Sequence, residues 1–424
     1  MGAHRPEPGV SRSFTHPRAA SHVQPGGVDR DASPDPMDEV RETGSVEPRW
    51  IDDARALTAL TEELADEPAL AIDTEFHGER TYWPRLALVQ IAWSNGIALV
   101  DPLAVDVAPL GSVLARTTIV AHASDQDLAI LERTCGAIPA QLFDTQVAAG
   151  FVGMGTPSLL SLAERLLDVA ITKGDRLTDW TRRPLGPGPQ AYAAADVEHL
   201  LALRDLLIDR LTDAGRLEWA LEECEIRRTR DRSRPDPETA WWRLKSSRQL
   251  RGRSRGVAQM VTAWRERTAE ANDQPPRLVL PDLGLAGVIA RAPTTREELA
   301  DIRGLDGRHL RDGAAREILD AVRTGTELSA GQLRLPESDH LDRALAPAAT
   351  VLGAWVAQRA GELGIEASLL GTRNDVTAVL RDGTGRLSEG WRAELVGAPL
   401  TRLLHGQAAL RFEDGGRRLV LEDR

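Results

Sequence analysis

The sequence predicts an α/β domain followed by mostly α-helical C-terminal domains. Two observations lead there. Between residues 50 and 215, short apolar runs with strand character (Leu70–Phe76, Thr118–His122) are interspersed with helical stretches. Beyond residue 255, helical periodicity dominates until an alternating segment near the C-terminus. At 424 residues the chain has room for two or three domains, and 42% hydrophobic content is enough for their cores.

Residues 1–45 are rich in Pro, Gly, Ser, His and charge and lack apolar periodicity, so they read as a disordered tail, with Met37 as an alternative start. His4, His16 and His22 are scattered through that segment and make no metal motif. It has no apolar signal-peptide core, and no run of eighteen apolar residues suggests a membrane span. The two cysteines, Cys135 and Cys224, match no metal-site spacing and argue against a disulfide framework, so a reducing cytoplasm is expected.

The run Leu70–Phe76 follows an acidic, Ala-rich helical stretch and reads as a strand. Asp73 and Glu75, two apart, then project from one face. Paired carboxylates repel unless a cation compensates them; for an isolated Asp-x-Glu, a solvated strand end is the plainer reading. Thr118–His122 reads as the next strand and Asp125–Thr134 as a helix. Asp125 falls at the expected N-cap and Asp127 in the first turn. Spacing alone leaves both open as metal ligands. His122 reads as a packed or hydrogen-bonded histidine, because a hard cation such as Mg²⁺ does not favour imidazole. Asp196 lies at or near the start of a Leu-rich helix, Val197–Ile208, and Tyr192 stands four residues earlier. On a continuous helix these two share a face; alone, Tyr192 reads equally as a core tyrosine.

Asp73-Thr-Glu-Phe-His-Gly-Glu-Arg-Thr-Tyr82-Trp-Pro-Arg-Leu86-Ala-Leu88-Val-Gln90 resembles the first exonuclease motif of the ribonuclease D family. His122–Leu128 resembles the second and Tyr192–Asp196 the third, in its tyrosine-containing form. Between them, Thr172–Leu185 is similar to the segment that precedes the third motif. The resemblance implies a ribonuclease H-like exonuclease domain over residues 46–225, with a mixed five-stranded sheet flanked by helices. It implies a 3′→5′ exonuclease of the DEDD class. Asp73, Glu75, Asp127 and Asp196 would hold two Mg²⁺ or Mn²⁺ ions, and Tyr192 would position the attacking water. Phe76, Lys173, Trp180 and Arg183 are expected on the nucleic acid. The expected substrate is the single-stranded 3′ end of tRNA precursors or other structured RNA, with release of nucleoside 5′-monophosphates and no small-molecule cofactor. A DNA 3′→5′ exonuclease and a non-catalytic nucleic-acid-binding module are the alternatives.

The net charge of −12 runs against a nucleic-acid partner, but charge is uneven. Residues 226–256 hold ten Arg and one Lys against three acids, net +8. Basic side chains around Trp241 and Trp242 suit a phosphate backbone, or a linker (226–254) whose tryptophans dock on a neighbour. Residues 255–326 read as a helical unit resembling the small nucleic-acid-binding domain of ribonuclease D and some helicases. Residues 337–424 read as a mostly helical third unit, ending in a hairpin over Ala408–Glu422; a degenerate second copy of the preceding unit is the expectation the resemblance suggests.

Overall fold

The computed structural model describes residues 47–171, 178–336 and 341–424, so the 1–45 tail and Lys173 lie outside the described residues. Six strands form one sheet: β1 (Arg49–Ile51), β2 (Ala69–His77), β3 (Arg85–Trp93), β4 (Gly96–Val100), β5 (Thr118–Ala121) and β6 (Gln141–Asp144). Their order is β1-β4-β3-β2-β5-β6. β2, β3 and β4 run antiparallel in sequence, whereas β1–β4, β2–β5 and β5–β6 are parallel. The sheet is mixed, as expected, with one strand more than the five expected. The extra one is β1, a three-residue edge too short to show periodicity.

Alternation along β2 fixes what each face does. Leu70 and Ile72 point into an apolar cluster with Leu57, Leu60, Leu114 and Ile130. Ala69 and Ala71 point into a second cluster on the other side, with Phe151, Leu203 and Leu207. β2 pairs with β5 only as far as Ala71. Beyond that, its open edge is covered by the first turn of the Asp125–Cys135 helix, which caps on Ser124 rather than on Asp125.

The helical unit packs Arg253–Ala271, Asp282–Arg291, Arg296–Ala300 and Asp312–Glu327 around its own core of Val257, Val261, Leu285, Ile318 and Val322. Trp241 is buried in that core. Trp242 is exposed and its indole N–H donates to the Arg334 carbonyl at 2.7 Å. Trp264 packs partly against the same core, its indole N–H on Glu317.

Residues 341–424 contribute the helix Ala346–Leu363, shorter helices through Leu404, and a hairpin of β7 (Ala408–Glu413) and β8 (Arg418–Asp423). Their apolar residues do not form a core of their own. Leu352, Trp355, Val376, Trp391 and Leu400 belong to the cluster that includes Phe151 and Leu203. Trp391 stacks on Trp219 at 5.1 Å between centroids and meets the edge of Phe151 at 5.2 Å. Buried Glu223, on the Leu217–Arg228 helix, pairs with Arg392 at 2.5 Å and Arg386 at 2.9 Å.

Candidate active site

Asp73 and Glu75 leave β2 on the face covered by the Pro187–Glu198 helix. That helix starts earlier than the sequence suggests, because Gly186-Pro187 supplies an extended N-cap and a proline at the first helical position. It ends at His199, where a second helix, Leu200–Asp213, begins. Tyr192 and Asp196 therefore sit one turn apart on the first helix, facing the sheet. One carboxylate oxygen each from Asp73, Glu75 and Asp196 lies within 4.8 Å of the others. A register shift between Glu75 and Phe76 bends the strand directly after this pair.

Asp127 reaches the site across the open edge of β2. Its carboxylate accepts the Thr74 hydroxyl at 2.5 Å and stands close enough to Asp73 to raise that carboxyl. Its oxygens are not part of the close set of three. The turn that delivers Asp127 is built on buried Asp144. That carboxylate accepts the backbone N–H of Ala123 and Ser124, at 3.2 and 2.9 Å, the Ser124 hydroxyl at 2.8 Å and Arg227 at 2.9 Å. Ala123 is held there at φ +58°, a left-handed conformation that costs a non-glycine residue energy. Sequence reasoning misses Asp144: locally it is an ordinary N-cap, accepting from the N–H groups of Gln146 and Val147, while its partners in this turn lie 20 to 83 residues away.

The electrostatics are those of an uncompensated acidic site. Burial, then the neighbouring Asp127, Asp196 and Glu75, raises Asp73 well above the usual carboxylate range. Burial, then Asp196 and Asp127, push Glu75 up to about 8. Burial takes Asp196 to about 7 against an opposing hydrogen bond from Tyr192, and Asp127 to about 6 against that from Thr74. Tyr192 is raised too, by burial and then by Asp196, so its phenol stays protonated. The donors are carboxylate oxygens with no thiolate or imidazole among them, a set that fits hard divalent cations. His122 is turned away: its Nε2 lies 3.0 Å from the Pro157 carbonyl and its Nδ1 2.9 Å from the Thr145 hydroxyl.

These shifts make stability depend on pH. From about pH 4 to pH 8 the folded, metal-free site holds protons that the unfolded chain has released. The folded state then binds more protons, so its stability falls as pH rises through that window and is fully kept below it. The metal-free protein is expected to melt several degrees lower at pH 8 than at pH 5, with Mg²⁺ or Mn²⁺ restoring most of the loss. Calorimetry beside Asp73→Asn checks this: the variant should show a flatter pH profile, and an equal slope would deny the repulsion.

The remaining expected contacts are placed as follows. Phe76 packs against the apolar cluster on the opposite face of the sheet. Trp180 is buried beside Tyr192, with ring centroids 6.1 Å apart. Arg183 grips Asp101 with two 2.6 Å bonds and donates to the carbonyls of Ala87, Trp180 and Arg182. All five of its N–H donors have protein acceptors, so Arg183 braces the scaffold here and leaves no donor for a phosphate.

Residues 48–212 match the family model described as 3′-5′ exonuclease, and residues 254–322 match the HRDC domain. The ribonuclease D of Acidiphilium cryptum is 36% identical over 390 residues, spanning 89% of this chain and 97% of that protein. The ribonuclease D of Gluconacetobacter diazotrophicus is 36% identical over 89% of this chain and 96% of its own length. Among solved structures, Escherichia coli RNase D, described as an exoribonuclease involved in structured RNA processing, superposes with a TM-score of 0.76 at 30% identity, covering 85% of this chain and 99% of that one. With an acidic site on β2, an exonuclease domain followed by an HRDC domain, and relatives matched over nearly their whole length, the chain belongs to the ribonuclease D family.

Proposed function

We propose that the chain shortens RNA from its 3′ end by hydrolysing phosphodiester bonds, with Asp73, Glu75, Asp127 and Asp196 as ligands of two divalent cations, Mg²⁺ or Mn²⁺. The observation that carries this reading is the convergence of Asp73, Glu75 and Asp196 within 4.8 Å, with the Tyr192 phenol on Asp196. Cations bound there would neutralise charge on the phosphodiester and activate water. The residues supply the rest. Asp73 and Glu75 hold fixed positions because β2 is paired on the β3 side and buried on its other face. Asp127 is oriented by Thr74. Tyr192 stays a neutral phenol, anchored by Asp196, and acts by orienting the attacking water rather than by removing its proton.

The products are nucleoside 5′-monophosphates, and the substrates are single-stranded 3′ ends of tRNA precursors or other structured RNA. The family membership and the HRDC domain support a nucleic-acid partner, chiefly RNA. Among the described residues no helix is long and apolar enough to cross a membrane. Cys135 and Cys224 are free and buried, which suits a reducing cytoplasm.

The test is degradation of 5′-labelled single-stranded RNA and matched DNA with Mg²⁺, Mn²⁺ or EDTA. A ladder shrinking from the 3′ end only with metal is expected; binding without cleavage of either would point to the non-catalytic module instead. Tyr192→Phe should lower kcat about 10- to 100-fold, the scale of losing one orienting hydrogen bond to the attacking water, while metal binding persists. Unchanged turnover would remove Tyr192 from the mechanism.

A further inference from the structure

Past Glu75, the end of β2 forms one wall of a pocket of about 460 Å³ that none of the four carboxylates lines. His77 and Arg85, paired across β2 and β3, Arg80 and Thr81 on the connecting loop, and Asp179 and Thr181 on the turn before the Tyr192 helix define it. Arg80 and Arg85 are exposed, and among the described residues neither makes a hydrogen bond, although the Arg80 charge acts on Asp179 across the pocket. Asp179 is the opposite case. Its Oδ1 accepts the Thr181 backbone N–H at 3.0 Å and hydroxyl at 2.6 Å, which keeps the carboxyl below its ordinary range and sets its orientation. Its Oδ2 has no hydrogen-bond partner among the described residues. His77 Nε2 accepts the Trp180 N–H at 3.1 Å, which ties the two walls together.

The pocket also lies on the path between the carboxylates and the helical unit. The loop that forms its rim is gripped from that unit: the Tyr82 hydroxyl meets Glu266 at 3.0 Å, the Tyr82 N–H meets Asp273 at 3.1 Å, and Arg277 donates to the Glu79 carbonyl at 2.8 Å. A strand advances about 3.3 Å per residue, so His77 stands roughly 7 Å beyond Glu75, close to one nucleotide step. Two exposed guanidinium groups without a hydrogen-bond partner among the described residues suit phosphate oxygens, and a fixed carboxylate oxygen suits a hydroxyl donor. Glu79 and Asp179 make the pocket unattractive to a bare phosphate, whereas a ribonucleotide offers both the anion and the hydroxyl.

We propose that this pocket is a ribonucleotide subsite: Arg80 and Arg85 hold the backbone phosphate upstream of the scissile bond, and Asp179 accepts the 2′-hydroxyl of the adjoining ribose. The pocket then selects RNA over DNA, since the 2′-hydroxyl is the group that distinguishes them. This assignment rests on the exoribonuclease reading.

The experiment uses the full chain and its Arg80→Ala, Arg85→Ala and Asp179→Ala variants on matched RNA and DNA oligonucleotides. Asp179→Ala should lower kcat/KM on RNA about tenfold and leave DNA unchanged, the loss of one hydrogen bond to a charged acceptor. Arg80→Ala and Arg85→Ala should weaken both polymers alike and reduce the slope of log affinity against log salt by about 0.7 each. An unchanged RNA-to-DNA ratio in Asp179→Ala, or an unchanged salt slope in the arginine variants, would overturn the subsite. If the wild-type chain cleaves neither polymer, the exonuclease reading fails by itself; oligonucleotide binding in EDTA, read by anisotropy, then judges the subsite by the same ratios.

Discussion

Asp73→Ala and Asp196→Ala are each expected to lower metal-dependent cleavage by at least about 10³-fold, the scale set by losing a cation that supplies several kcal/mol of charge stabilisation. Neither should unfold the protein. Both remove a carboxyl raised by burial and by its neighbours or its desolvated setting, so the metal-free variants should melt at or above the wild type. Asp127→Ala should be similarly impaired. Asp125→Ala is the control: Asp125 is half-buried, 3.7 Å from Arg227 and 3.9 Å from Arg230, and its loss should change the rate less than about threefold. Rates paired with circular dichroism decide the matter. Wild-type activity in Asp73→Ala would sink the metal assignment, and a dead Asp125→Ala would shift the ligand role within that turn.

Arg392→Ala is expected to cost about 3–5 kcal/mol, because it leaves Glu223 charged and buried without its closest partner. Burial alone would raise Glu223; Arg392 and then Arg386 hold it below its ordinary value. Glu223→Gln on the Arg392→Ala background should recover part of the loss. Ending the chain at residue 336 is expected to be worse, since it strips Leu352, Trp355, Trp391 and Leu400 from the cluster that also holds Phe151 and Leu203. Thermal melts of the purified variants test both. A truncated protein that melts like the intact chain would show that the shared cluster contributes little. The sequence alone reads residues 337–424 as a third unit, whereas their apolar residues join the nuclease cluster.

The parts of the site that repeat at short spacing are legible in the sequence. Asp73 and Glu75 obey strand alternation, and Tyr192 and Asp196 obey the helical turn, even though their helix begins at Pro187 rather than near Asp196. The parts that depend on distant partners are not legible there. Nothing near Arg183 shows that Asp101 and three carbonyls consume its guanidinium. Phe76 falls on the buried side only because alternation and the register shift after Glu75 put it there. Trp241 and Trp242 are adjacent, yet one lies in a core and the other in solvent; a short 3₁₀ turn separates neighbours that the sequence treats alike. The helices of the C-terminal unit are readable from periodicity, but the core they join is not, since periodicity marks an apolar face without naming what covers it.

The order of synthesis gives that shared core a further meaning. Trp391 hydrogen-bonds Glu223 across 168 residues, and the HRDC unit, with its own core, lies between them in the chain. As the ribosome releases the polypeptide, the middle unit has all its partners while the nuclease half still lacks some of its own. The nuclease half finishes folding only when the last helices emerge. A translation product broken off before residue 346 would therefore carry Asp73, Glu75, Asp127 and Asp196 but leave an open hydrophobic flank, the kind of exposed surface that cellular proteases act on.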